Sequence, residues 1–482
     1  MQTHQLTGDL FGHPCTTGGS TEAQLSDPLP QPDGDAVAVT HLNHQKSRIA
    51  VIGGGPMGLA VAYELTRLGQ RPVLLEADDR LGGMAACFEF AGMQLERYYH
   101  FHCLSDTALF QVLRELGLED QLHWRNTKMG FYLDGHLYPW GSVGAVLGFW
   151  RLPWLIRFRY LLHAARCLTI RNWSRLDRIT ATQWLRSWLG EQGYQVLWHK
   201  LFAYKFFHYS DQISAAWIWS RVRRLGQSRR RLKETLGFLD GGSQQLIDAI
   251  ADAIRAGGGE IQLSTPVKGL KPFPSGGAVL TTPSGEKAFD GVISTVPLPL
   301  MASVLQAGGA EDGLVDCYRT LPSVACACVV LQTRRQVTAN FWTNVNDARF
   351  AIPGVIEMSN LRSLQGHIAY VPFYIPADHP DYQRPNEAFI ADAWACLRAI
   401  NPQLSEADLL NSHCSRYRFA QPVCGVHFQD SLPPLQPFPG VFTADTTAYY
   451  PEDRGISESI GFGRQLASQA VESLQGENNG HE

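Results

Sequence analysis

The chain has 482 residues, of which 45% are hydrophobic and 18% charged, enough apolar side chain for packed cores and too little charge for a disordered polymer. Forty-one Lys and Arg against 45 Asp and Glu leave a net charge of −4, which excludes a polycation built to bind nucleic acid. The ten cysteines include no Cys-x-x-Cys pair, the closest being Cys326 and Cys328, so they form no zinc ribbon or disulfide scaffold and read as reduced thiols of a cytosolic protein.

Residues 1–46 lack a basic start and an apolar run, and the first Lys or Arg is Lys46. They read as a disordered leader without a secretory signal. The chain becomes informative at Ile49-Ala50-Val51-Ile52, a short β-branched strand. Gly53-Gly54-Gly55-Pro56-Met57-Gly58 follows, then a helical run through Leu65, a stop at Gly69, a second strand at Pro72–Leu75, and Glu76. This order of strand, G-x-G-x-x-G, helix, strand and acid is a dinucleotide site. Gly53 makes the turn, Gly55 admits a pyrophosphate and Gly58 lets helix and strand pack closely. The helix N-terminus offers free N–H groups to phosphate. Glu76, 23 residues after Gly53, accepts ribose hydroxyls and repels a 2′-phosphate.

Arg80-Leu81-Gly82-Gly83-Met84 adds a second glycine pair close behind the acid. With it the chain resembles the FAD-dependent amine oxidase superfamily, which includes protoporphyrinogen oxidase-like and phytoene desaturase-like flavoproteins. Further stretches carry the same resemblance: Gly241-Gly242-Ser243, Gln262–Val267, Gly291–Pro297, Gly440–Asp445 and Arg454–Gly463. The fold it implies is α/β, with a Rossmann-like FAD-binding domain assembled from discontinuous segments and an inserted mixed α+β substrate domain. The segments are 47–133, 237–297 and 413–475 for the FAD domain and 134–236 and 298–412 for the substrate domain, with 476–482 a disordered tail. The implied FAD contacts are Gly53, Gly55, Met57, Gly58, Glu76, Arg80, Gly82, Gly83, Met84, Val267, Asp445, Ile456 and Ser457. Among these, Val267 would touch the adenine, Asp445 the ribityl and pyrophosphate region, and Ile456 and Ser457 the flavin's pyrimidine edge. The usual Gly-Asp pair of the superfamily is Ala444-Asp445 here.

In relatives the stretch Glu96–His102 passes beside the isoalloxazine ring, so Tyr99, His100 and His102 are the catalytic candidates. Histidine moves protons near neutral pH, and tyrosine stacks or donates a hydrogen bond; packing against the cofactor is the competing role. Trp342, Glu357, Tyr374 and Tyr450 are candidate substrate contacts, although each also suits a structural position. No metal site is expected, since two histidines lack a third ligand.

Over Arg151–Asp240 there are 17 Lys and Arg against 5 Asp and Glu, a local charge of +12, and the remainder of the chain carries −16. Part of this segment interleaves arginines with Trp150, Trp154, Phe158 and Tyr160. That suits a membrane surface with anionic headgroups, an anionic ligand, or a plain solvated face. The expected location is cytoplasmic, extending to peripheral attachment at the inner face of a membrane. The function read from these residues and the resemblance is FAD-dependent oxidation of a lipophilic or anionic small molecule of polyene, porphyrinogen or amine type, with hydride transfer to flavin. Oxygen or a quinone would be the acceptor, because there is one dinucleotide fingerprint and no second nicotinamide domain. The alternatives are a redox-neutral, UDP-galactopyranose mutase-like enzyme acting on a sugar nucleotide, and a non-catalytic FAD-binding protein.

Overall fold

Five short strands share one parallel sheet, although they are scattered from residue 49 to residue 443. Their spatial order is Glu260–Gln262, Val73–Leu75, Ile49–Ile52, Gly291–Ser294 and Val441–Thr443. Both faces are covered, as a parallel sheet requires. Ala50, Ile52 and Val292 point into one apolar core, and Ile49, Val51 and Ile293 point into another. The alternation follows from the two-residue repeat of a strand. This is the fully buried side-chain set that the run Ile49–Ile52 signals. The structure is a computed structural model and describes residues 47–230 and 233–479, with side chains through Gln475. The leader expected over 1–46 lies outside the described residues.

Three helices cover one face. The first, Pro56–Arg67, begins directly after the glycine turn and packs on the C-terminal helix Ile456–Asn479 and on Gly242–Ala256. The expected unstructured tail from residue 476 is corrected here, because the C-terminal helix continues to Asn479 without an intervening Gly-Pro stop.

A seven-stranded mixed sheet has the order Leu409–Pro422, Ser323–Thr333, His367–Ile375, Gly354–Glu357, Trp342–Val345, Met129–Leu133 and His136–Trp140. Its long central strand again splits by parity. Cys326, Cys328 and Val330 join the core shared with the first sheet, while Ala327, Val329 and Leu331 face a separate core under the helix Asn386–Ile400. Helices between residues 143 and 227 add a further layer, including Trp154–Thr169, Lys200–Phe206 and Ala215–Gln227. The α/β architecture with several sheets matches the sequence expectation. Among the described cysteines none is paired, and Cys317 is the exposed one. No described helix is long and apolar enough to cross a membrane.

Candidate flavin site and its surroundings

Three glycines of the first turn do different work. Gly53 adopts φ +103°, which few residues other than glycine tolerate. A Cβ at Gly58 would lie 1.8 Å from the Gly53 carbonyl oxygen, so only glycine lets the helix start so close to the strand. A Cβ at Gly55 would meet nothing within 4 Å. Gly55 is also the N-cap of the first helix, and no side chain caps that end. The uncapped first-turn amides therefore open onto free space, and this is the fit a diphosphate requires.

The second glycine pair is stapled to the first. Gly82 N–H donates to the Gly54 carbonyl at 2.8 Å, and a Cβ on Gly83 would lie 3.3 Å from Gly55 Cα. Met57 is buried and Met84 half-buried beside these turns. Glu76 accepts from the amides of Gly54 and, at 2.8 Å, Asp78. The acid thus shapes the glycine loop and keeps spare lone pairs for a ribose. Arg80 turns to Asp79 at 2.8 Å and to the Cys87 carbonyl at 3.2 Å. The strand before Val267 stops at Gln262, and residues 263–268 dock on the acid's segment through Thr265 N–H to Glu76 O at 2.7 Å. Asp445 accepts from Leu298 N–H at 2.9 Å and from Thr447 N–H at 2.8 Å. Its carboxylate ties the edge strand to the helix Leu298–Ala307, and burial raises its pKa. Ile456 and Ser457 open the C-terminal helix, and Ser457 Oγ accepts from Leu109 N–H at 3.3 Å.

The stretch Glu96–His102 is held by its ends. Glu96 is buried, accepts from Ser243 N–H at 3.0 Å and lies 3.5 Å from Arg362. A Cβ on Gly242 would sit 2.2 Å from Arg362 Nη1, which explains the second residue of the Gly241-Gly242 pair. At the other end, His102 pairs through its backbone with Gly237 in both directions. His102 is 5% exposed and its Nδ1 lies 3.9 Å from Asp106. Burial holds its pKa down at about 4, so the ring is neutral at pH 7. Tyr99 and His100 are half-buried in the middle. Burial also lowers the His100 pKa, and its Nδ1 is buried without a partner among the described residues.

Tyr99 meets Trp342 edge-on at 5.5 Å and Tyr370 at 6.2 Å. Tyr374, on the same strand as Tyr370, accepts from Arg454 at 3.0 Å. The structure therefore brings Tyr99, Trp342, Tyr374 and Arg454 together. Two other candidates lie apart from this group in their bonding. Glu357 is 3% exposed and accepts from the amides of Val337 and Thr338 at 3.2 and 2.9 Å, so it closes a loop. Tyr450 donates its hydroxyl to Asp177 and lies within hydrogen-bond distance of the Ser214 hydroxyl, a buried link to the inserted helices.

The basic insert is only partly a surface. Arg224 bonds Asp106 at 3.0 Å and lies 3.4 Å from Glu458 in the first turn of the C-terminal helix. Burial raises the Glu458 pKa to about 7 against the pull of Arg224. Arg221 pairs with Asp453. Arg229 donates to the Gly141 carbonyl at 2.6 Å, and Arg231 lies outside the described residues. Sequence reasoning overlooked Lys205, Asp106 and Arg362. Lys205 sits in Tyr-Lys-Phe-Phe, which reads as ordinary helix, and the other two gain meaning only from partners far along the chain.

Residues 58–450 match the family of flavin-containing amine oxidoreductases. The 15-cis-phytoene desaturase of Synechococcus elongatus is 27% identical over 240 residues, 46% of this chain and 50% of that protein. The match thus spans about half the length of that curated relative. A protein of Exiguobacterium sp. 255-15, provisionally named protoporphyrinogen oxidase, superposes with a TM-score of 0.69 at 20% identity, over 88% of this chain and 99% of its own. Reduced UDP-galactopyranose mutase gives 0.69 at 16% identity, over 90% and 98%. At these identities the structural likeness is one of fold.

Proposed function

The chain belongs to the flavin-containing amine oxidoreductase family and holds FAD, and from that premise we propose that it oxidises a lipophilic or anionic small molecule. The observation that carries the reading is the empty-fronted turn at Gly55, uncapped and backed by a second glycine pair. Bound FAD supplies the two-electron acceptor for a hydride leaving a substrate carbon. The protein's own residues do the rest. Tyr99 and Trp342 form apolar walls that orient the substrate and exclude water. Neutral His100, the half-buried imidazole beside Tyr99, takes up the proton that leaves with the hydride. The N-terminus of the helix at Ile456 favours negative charge on the cofactor side. Oxygen or a quinone then serves as the final acceptor.

A membrane surface is the proposed source of the substrate. Trp150 is 66% exposed and Trp154 70%, and Phe158 and Leu162 continue the same outward stripe at four-residue spacing. Exposed Arg166, Arg171, Arg175 and Arg178 follow. Exposed tryptophans with exposed arginines close behind them in the chain suit an anionic bilayer interface.

The direct test is a visible spectrum of the purified protein, followed by anaerobic addition of lipid and polar cell extracts. Bleaching of the flavin band by a lipid or acidic fraction is the expected result. Turnover without net bleaching would favour a redox-neutral reaction, and a flavin band that no fraction changes would favour a non-catalytic flavin protein.

A further inference from the structure

Lys205 is 5% exposed, and among the described residues its side-chain nitrogen makes no hydrogen bond and no carboxylate pair. What surrounds it is aromatic and cationic. The ammonium stands 4.8 Å from the Tyr374 ring centre and 5.3 Å from that of Trp217. The titratable groups acting on it are Arg221 and Arg454, both positive, and the buried Cys326 thiol, which acts in the opposite sense. Arg454 is held by the Ala420 carbonyl and the Tyr374 hydroxyl, and Arg221 by Asp453. Asp453 is thus the one carboxylate paired with any of the three cations among the described residues. Tyr374 connects the group to Tyr99, and Arg454 stands two residues before the helix at Ile456.

A buried ammonium without a counter-ion is costly, and a binding site is where such a group is kept. Burial and the two arginines push the Lys205 pKa well below the usual lysine range. An arriving anion would restore its proton, and an arriving amine would add a third positive charge beside the two arginines.

We propose that Lys205, backed by Arg221 and Arg454, anchors the acidic end of the substrate, so that the molecule oxidised carries a carboxylate or a phosphate and is not a cationic amine. This deepens the flavin reading given above and rests on it.

The test uses the purified flavin-loaded protein, titrated separately with benzoate, inorganic phosphate and benzylamine. Binding is read from the shift of the flavin absorption band and by calorimetry in two buffers of different ionisation enthalpy. Benzoate or phosphate should bind saturably with uptake of a proton, and which of them binds distinguishes the carboxylate from the phosphate. Lys205→Met should keep the flavin, weaken anion binding about tenfold or more and abolish the proton uptake. Lys205→Arg should keep the affinity and lose the uptake, and it carries the test if the methionine variant fails to fold. The proposal is overturned if benzylamine binds and neither anion does, if no anion binds, or if Lys205→Met binds as the parent does. A colourless protein that takes no FAD fails the flavin reading instead, and calorimetric benzoate binding still reports on Lys205.

Discussion

Gly55 and Gly58 sit three residues apart, and a methyl group on each should fail differently. At Gly58 the added carbon meets the Gly53 carbonyl at 1.8 Å, so strand and helix must separate. Gly58→Ala is expected to destabilise the protein by about 3 kcal/mol or more, seen as a lower Tm with or without added FAD. At Gly55 the carbon enters open space. Gly55→Ala should fold with a flavin-free Tm close to the parent's and lose roughly 100-fold in FAD affinity, because the methyl occupies the phosphate's place. Equal losses in both variants would contradict this division of labour. Glu357 offers a second test at this scale. Burial raises its pKa to about 7, against about 4.3 in an unfolded chain. A raised carboxyl contributes stability that is complete below the unfolded value and is lost as pH rises through the folded one. The shift corresponds to about 4 kcal/mol. Glu357→Gln stays neutral throughout, so its Tm should gain on the parent's between pH 5 and pH 8. A constant difference would show that the carboxyl is not perturbed.

The helix Trp154–Thr169 has two apolar faces. One packs inward through His163 and Cys167, and the other sets Trp154, Phe158 and Leu162 outside. Replacing Trp150 and Trp154 by Ser should leave the unfolding free energy within about 0.5 kcal/mol of the parent's, since neither side chain is buried. The same change should abolish flotation with vesicles containing phosphatidylserine. Unchanged flotation, or none by the parent, would remove the membrane reading. The helix Ala215–Gln227 behaves differently despite its similar arginine content. Arg221 and Arg224 reach acids at 453, 106 and 458. They tie the insert to the start of the C-terminal helix and are not headgroup ligands. Composition counts both helices as basic, and only the partners separate them.

Across the whole molecule, the parallel sheet takes its strands from residues 49, 73, 260, 291 and 441 onward. All but the edge strand Glu260–Gln262 have a local apolar run that a reader of the chain can find, and the glycine turn between the first helix and its strand is legible because its spacing is dictated by backbone contact within ten residues. The amino-acid order alone therefore determined the nucleotide cradle, the family resemblance and the excess of positive charge in the insert. The tertiary structure decided which arginines are spent in ion pairs, that Glu357 and Tyr450 serve as internal links, and that Lys205 is left among cations and rings. The physical reason is range. A turn or helix start is settled by neighbours along the chain, whereas the state of a buried charge depends on whatever the fold places within a few ångströms of it, and those groups lie tens to hundreds of residues away.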